Sequence, residues 1–267
     1  DQYEILKEAI ESLRLSLASL AYKDNKPVFS WEDPTLHEYV QDGLAFHLDG
    51  INKGKVSGAW TDLVSGITFP NHGAKSIDNG WEFDGIDDWL GLEGSQYDLD
   101  FDNELCTIEC AYYKNVIGQP ISDPQGGFNV CTFGTVTTDN SHKVGLQFNS
   151  AYRARYINHM FVDGDNGITT NVWSDDNIDK VNAHTVSVNK KMAFDNEIQC
   201  VSLGTNHWTT NTGGRAIGCT HKDNTQTYFC RAGKIFAIRV YNRILTEEEM
   251  RQNQKVDNKR FNLGLTL

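Results

Sequence analysis

An all-β fold, two antiparallel sheets packed face to face with an N-terminal α-helix ahead of them and a short C-terminal helix behind, is what this 267-residue sequence predicts. Three observations predict it. From residue 42 onward, apolar and polar residues alternate over short runs, the period of a half-buried strand. Between the runs lie stretches crowded with Gly, Asn and Asp, the residues that tight turns favour. Helical periodicity is confined to the two ends. The pattern predicts an amphipathic helix over residues 1–24, a connector over 25–41 and one sandwich domain over 42–267.

The elements follow in order. Tyr3, Leu6, Ile10, Leu13, Leu17 and Leu20 stand at alternating steps of three and four, which is a heptad seam. Ile5 and Leu15 lie off it. The helix over 1–24 therefore has two uses: it packs on its own or an upstream domain, or it joins copies of the chain as a coiled-coil dimer or trimer. The stretch from Tyr22 to Gln41 has two of the 5 prolines, mixed charge and isolated aromatics, and reads as a connector lying against another surface. In GLAFHLDG the period changes to two, with Leu44, Phe46 and Leu48 pointing one way and Ala45, His47 and Asp49 the other. Runs of the same kind recur as WEF at 81–83, DWLGL at 88–92, CTIECAYY at 106–113, then FNVCTFG, KVGLQF, HTVSV, EIQCVSLG and GKIFAIRVYN. In the last of these Phe236, Ile238 and Val240 are expected on one sheet face. The closing helix is marked by Thr246 as N-cap, Glu249 three residues on as its capping-box partner, and Leu245 with Met250 as a hydrophobic staple. It should begin at Thr246 or Glu247.

Composition narrows the function. Thirty-six acidic against 24 basic residues leave a net charge of −12, so no field draws the chain to phosphate backbones or anionic lipids. Nucleic-acid binding and membrane insertion are not expected, and no run approaches the roughly 18 apolar residues of a membrane helix. A start at Asp1 rather than Met predicts that the chain is part of a longer polypeptide. The 6 cysteines form no C-x-x-C pair, which argues against structural zinc. Cys106 and Cys110 share a strand face but sit about 13 Å apart, beyond the ~7 Å limit for bridging. Most of the cysteines read as core thiols; one or two disulfides between distant strands are the alternative.

The order of motifs resembles the laminin-G-like, concanavalin A-like jelly-roll domains over residues 42 to 262. GLAFHLDGINKG matches the opening strand and its Gly-Asn loop, and Trp60, Asp62 and Leu63 match the succeeding W-x-D-L element. FDGIDDWLGL, residues 83–92, matches a paired-strand motif, CTIECAYY the strand after it, and GKIFAIRVYNRILTEEEM the closing strand and helix. The resemblance implies a jelly-roll that recognises a ligand through its loops, as in secreted bacterial proteins, adhesins and phage fibres. It also implies a location outside the cell, on its surface or on a virion exterior. In the third motif Gly85 supplies a turn, and Asp84 and Asp87 either accept backbone N–H bonds there or ligate calcium.

The chemistry expected of this sequence is recognition rather than catalysis. Glycan hydrolases on this fold carry paired carboxylates as E-x-D-x-x-E, because one acid protonates the leaving oxygen while the other attacks or activates water. No strand here has them. YFCRAGKIF, residues 228–236, is similar to a Y-F-K-A-G motif of alginate-type lyases, yet Arg231 replaces the lysine and the accompanying Q-(I/V)-H strand is missing. A sugar site needs an aromatic plane with amides or carboxylates beside it. Tyr152, Arg155, Tyr156 and Asn158 offer this in one stretch, Trp173 with Asp175 in another, and Asn206, His207, Trp208 and Asn211 in a third. Trp173 and Trp208 serve either as this platform or as plugs at the ends of the sandwich. Trp60, Trp81 and Trp89 fall in or beside strands and are expected in the core. Calcium, the one candidate cofactor, would be held by Asp163 and Asp165 in VDGDNG and by Asp175 in SDDN; turn formation explains the same residues. The expected partner is a glycan or surface ligand. A structural or assembly domain of a virion or surface protein is the alternative.

Overall fold

The computed structural model describes residues 33–54, 56–92, 106–115, 128–133, 146–150, 156–163, 166–173, 181–189, 191–199, 215–223, 226–228 and 232–267. The helix expected over 1–24 lies outside them, as does the connector up to residue 32. Strands are numbered along the chain. The first are β1 (Leu44–Asp49), β2 (Ala59–Thr61), β3 (Thr68–His72), β4 (Lys75–Ile77), β5 (Gly80–Asp84) and β6 (Trp89–Leu92). The middle of the chain supplies β7 (Thr107–Asn115), β8 (Phe128–Phe133), β9 (Leu146–Ser150), β10 (Tyr156–Asp163), β11 (Asn166–Trp173) and β12 (Val181–Asn189). Then come β13 (Ala193–Asp195), β14 (Ile198–Gln199), β15 (Arg215–Ile217), β16 (Thr220–Asp223), β17 (Gln226–Tyr228), β18 (Ala232–Tyr241) and the helix α1 (Glu247–Phe261).

Two antiparallel sheets form the expected sandwich. The first has the order β14-β13-β12-β7-β18-β5-β4, and the second β11-β10-β9-β8-β15-β6-β3-β2. Strand β18 is the spine of the first sheet. One of its edges pairs with β7 along its length, while the other is shared: Ala232–Ile235 pair with β5 and Ala237–Tyr241 with β1. Between the sheets lies one large apolar cluster that includes Phe46, Leu48, Trp60, Phe69, Trp81, Phe83, Ile108, Val186, Val188, Ile238 and Val240. Trp60 and Trp81 are in it as expected, and Trp60 Nε1 donates to the Asp49 carbonyl at 2.8 Å, so its one polar atom costs nothing in burial. Trp89 is buried too, in a smaller cluster with Ala216 and Cys219.

Two side chains expected in that core point elsewhere, each for the same reason. Opposite β7, Ile235 pairs with Tyr112 and Ala237 with Ala111, which leaves Phe236 as an extra residue in a bulge. The alternation slips by one there. Ile235 and Ile238 both reach the core, while Phe236 packs with Ala111 and Phe261 on the outer side. A second bulge between Leu44 and Phe46 sends Leu44 to the cluster of Tyr241, Leu245 and Met250.

The closing helix begins where its cap predicts. Thr246 Oγ1 accepts from Glu249 N at 3.3 Å, and Glu249 Oε2 accepts from Thr246 N at 2.8 Å. Asn262 ends it in the left-handed conformation, φ 52°. The helix lies on the outer face of the first sheet together with a 3-10 helix, Pro34–Glu38, capped by Asp33. Leu36 and Tyr39 pack there against Val256, so the described part of the connector lies against α1. Among the described residues no helix is long and apolar enough to cross a membrane.

Candidate ligand-binding site

Of the residues expected to bind ligand, the structure brings two together. Strands β10 and β11 pair along their whole length, with Tyr156 opposite Trp173 and Asn158 opposite Asn171. Positions two apart on a strand fall on the same face, so these two pairs are neighbours on one face of the ribbon. The positions of Ile157, Phe161, Ile168 and Val172 fall on the other. The first face also takes the positions of Met160, Val162, Gly167 and Thr169, and the second those of His159, Asp163, Asn166 and Thr170. β11 is an edge strand of the second sheet. Tyr152, Arg155, Asn206, His207 and Trp208 lie outside the described residues.

The same register places the acidic residues expected to hold calcium. Asp163 ends β10 at the hairpin tip, opposite Asn166. Trp173 is at the far end of the ribbon, seven residues from Asn166 and so about 23 Å away. Asp175, two residues beyond Trp173, and Asp165 lie outside the described residues. Asp163 and Trp173 therefore stand at opposite ends of the ribbon.

Among the described residues, one carboxylate cluster brings ligand atoms within 4.8 Å of one another: Asp84, Asp87 and Asp88, in the turn between β5 and β6. Two of its oxygens hold the turn. Asp84 Oδ1 accepts from Ile86 N and Asp88 Oδ2 from Asp84 N, both at 2.8 Å, around Gly85 at φ 84°. Burial, then the charges of Asp84 and Asp87, raise the Asp88 carboxyl above its ordinary range. Asp84 thus stabilises the turn, as one of the two sequence readings held, and the hard-oxygen set is also one that calcium could use.

A titratable group that the sequence reading passed over lies on the inner side of the first sheet. His184 on β12 accepts or donates through Nδ1 to Asp195 on β13 at 3.0 Å, and its ring stacks on Tyr112 of β7 with centroids 5.2 Å apart. His184 Nε2 is buried with no hydrogen-bond partner among the described residues. A signal for it was present: in CTIECAYY and HTVSV, Tyr112 and His184 occupy the same phase as the core residues Cys110, Val186 and Val188.

The strongest electrostatic feature is on the opposite side, beneath α1. Arg239 of β18 donates to both oxygens of Asp257 on α1, at 2.7 and 2.6 Å, and through Nε to Glu109 of β7 at 3.0 Å. Its guanidinium lies 4.2 Å from the Tyr39 ring centroid, and Tyr39 Oη donates to Asp257 at 2.8 Å. Thr185 adds a bond to Asp257, while Ser187 and Asn253 donate to Glu109. All are buried. Burial is the main cause that pushes the Glu109 carboxyl up to about 7, against the opposing pull of Arg239. With its hydrogen-bonding atoms paired inside the protein, this cluster is an anchor for the helix and offers a ligand no free group. Outside α1, a shallow groove lined by Glu38, Glu248, Arg251, Lys255 and Lys259 carries both signs of charge and no aromatic plane.

No protein-family model matches this chain, and no curated protein matches it. Solved structures do. A sialidase of Trypanosoma rangeli in complex with the inhibitor DANA superposes with a TM-score of 0.55 at 13% identity, over 94% of this chain and 38% of that one. The same sialidase with 2,3-difluorosialic acid gives 0.53 at 14%, over 79% and 32%. The Ruminococcus gnavus IT-sialidase CBM40 gives 0.47 at 14%, over 69% of this chain and 97% of that one. The chain spans about a third of the length of the T. rangeli sialidase. At such identities the likeness is one of fold.

Proposed function

We propose that this chain is a non-catalytic recognition module that binds carbohydrate, or a glycan-bearing surface ligand, as part of a larger extracellular protein. The register of the β10–β11 ribbon carries the reading, because it sets Tyr156 beside Trp173 and adds Asn158 and Asn171 next to them. Aromatic rings suit the apolar face of a sugar, and amides both donate to and accept from its hydroxyls. The resemblance of its motifs to laminin-G-like domains agrees with this, and so does a fold shared with part of a sialidase that was solved with a sialic-acid derivative. Fold alone does not fix function, so the ribbon is the stronger support.

An assembly role fits less well. It expects a broad apolar surface or a helix docked on a partner. Among the described residues the large exposed apolar side chains are Ile51, Val56 and Ile86, in two separate loops, and α1 is docked on the chain's own sheet.

The test is a glycan array probed with the intact chain, Tyr156→Ala and Trp173→Ala. Binding by the intact chain that weakens roughly tenfold or more in each variant, about 1.4 kcal/mol, is expected. Undiminished binding by both variants, with unchanged melting curves, removes the ribbon from the site; no binding by the intact chain removes the carbohydrate reading.

A further inference from the structure

We infer that Asp33–Gln41 is a strap, closed against α1 in this structure, that detaches as a unit while the sandwich stays folded and so lengthens the tether between the domain and the segment before it. The strap consists of the 3-10 helix Pro34–Glu38, its cap Asp33 and the residues that lead from it to β1. Arg260, near the end of α1, holds one end of it. Its Nη2 donates to Asp33 Oδ2 at 2.6 Å, and its Nη1 donates to Thr35 Oγ1. Lys259 donates to the Glu38 carboxylate and Gln252 to the Glu38 carbonyl, both at 2.7 Å. At the other end Tyr39 Oη donates to Asp257 at 2.8 Å. Val40 donates through its N–H to Asn253 Oδ1 at 2.8 Å, and its carbonyl accepts from Tyr241 Oη at 3.0 Å.

Two properties make the strap separable. The first is that side chains do the holding. Among the described residues its backbone joins no strand, and its bonds to other main-chain groups are local, from Leu36 N to Asp33 O and from Leu44 N to Gln41 O. Leu36 and Tyr39 form a small apolar cluster with Val256, apart from the core between the sheets. The second property is that the groups left behind are already paired. Arg260 keeps both oxygens of Asp49, at 2.7 and 2.8 Å, and Asp257 keeps Arg239 and Thr185. Asp33 and Glu38 pass into water. Detachment therefore strands no buried charge, which is what ordinarily makes breaking a buried ion pair costly.

The consequence is one of reach. With the strap closed, the chain enters the domain beside Arg260, at the last turn of α1. With it open, residues 33–41 become a tether that spans up to about 30 Å. The domain can then stand close to the segment that precedes it or well away from it, without any change in the sandwich.

Hydrogen exchange of the intact chain, read by mass spectrometry at low urea concentrations, tests this. Peptides covering 33–41 are expected to exchange faster than those of β7, β12 and β18, and with a weaker urea dependence, because opening the strap exposes little surface. In the double variant Asp33→Asn, Leu36→Ala, exchange in the strap should rise about tenfold or more while that of β7, β12 and β18 is unchanged. Strap amides that exchange only at the rate and with the urea dependence of the sheet overturn the proposal. So does a variant whose strap exchanges no faster, or whose sheet rises in step with it.

Discussion

Glu109, Arg239 and Asp257 set two carboxylates against one guanidinium in a space closed to solvent. Adding one proton balances them, and Glu109, pushed up to about 7 by its burial, is where that proton goes. Ser187 can accept from a protonated Glu109 as readily as it donates to the carboxylate. In the unfolded chain the same carboxyl titrates near 4.5. Between pH 4.5 and 7 the folded state therefore binds more protons than the unfolded one, and stability falls as pH rises through that window. The slope is at most about 1.4 kcal/mol per pH unit. Urea melts at pH 5, 6 and 7 should show the decline, and Glu109→Gln, neutral throughout, should flatten it. Glu249 works in the other direction: Arg243 holds it down to about 2, so its contribution is lost as pH falls below 4.5. A Glu109→Gln profile that still falls between pH 5 and 7 assigns the titration to another group.

Helix α1 depends on its first turn. Thr246→Ala removes the side-chain acceptor for Glu249 N and should cost about 1 kcal/mol, read as a lower urea midpoint with an unchanged slope. This element was legible because a cap is written in adjacent residues: Thr246, Glu249, Leu245 and Met250 identify the start without knowledge of the rest of the fold. What the helix covers was not legible. Its buried residues include Asn253, Gln254 and Asp257, so no apolar stripe marks the docked face. Arg239 and Glu109 stand at positions that alternate away from the sandwich interior, which ordinarily means solvent; only the helix that folds back over the outer face makes them interior. The bulges misled in a different way. Period two was correct on either side of Phe236 and of Ala45, but one extra residue in each strand reverses the phase, and nothing in the composition of those strands announces it. For the ligand site, residue types were readable and register was not. That Tyr156 faces Trp173 depends on how two strands align.

At the scale of the whole molecule, the pattern read in the motifs and the structure agree on a sandwich of two antiparallel sheets closed by a C-terminal helix. The seam in residues 1–24 belongs to this scale as well. If it joins copies of the chain, light scattering should report a dimer or trimer for the intact chain and a monomer once residues 1–24 are deleted; equal association in both removes the seam as the cause. A recognition domain with one weak site would then gain avidity from its neighbours without new contacts.

The spine of the first sheet has a consequence for biosynthesis. β18, which β7, β5 and β1 all require as a neighbour, begins only at Ala232. On the ribosome, more than two hundred residues emerge before the strand that joins them is made, and three partners wait with open edges. The residues before Ala232 are thus made without their central ladder, and β7, β5 and β1 gain this neighbour only once β18 has followed them.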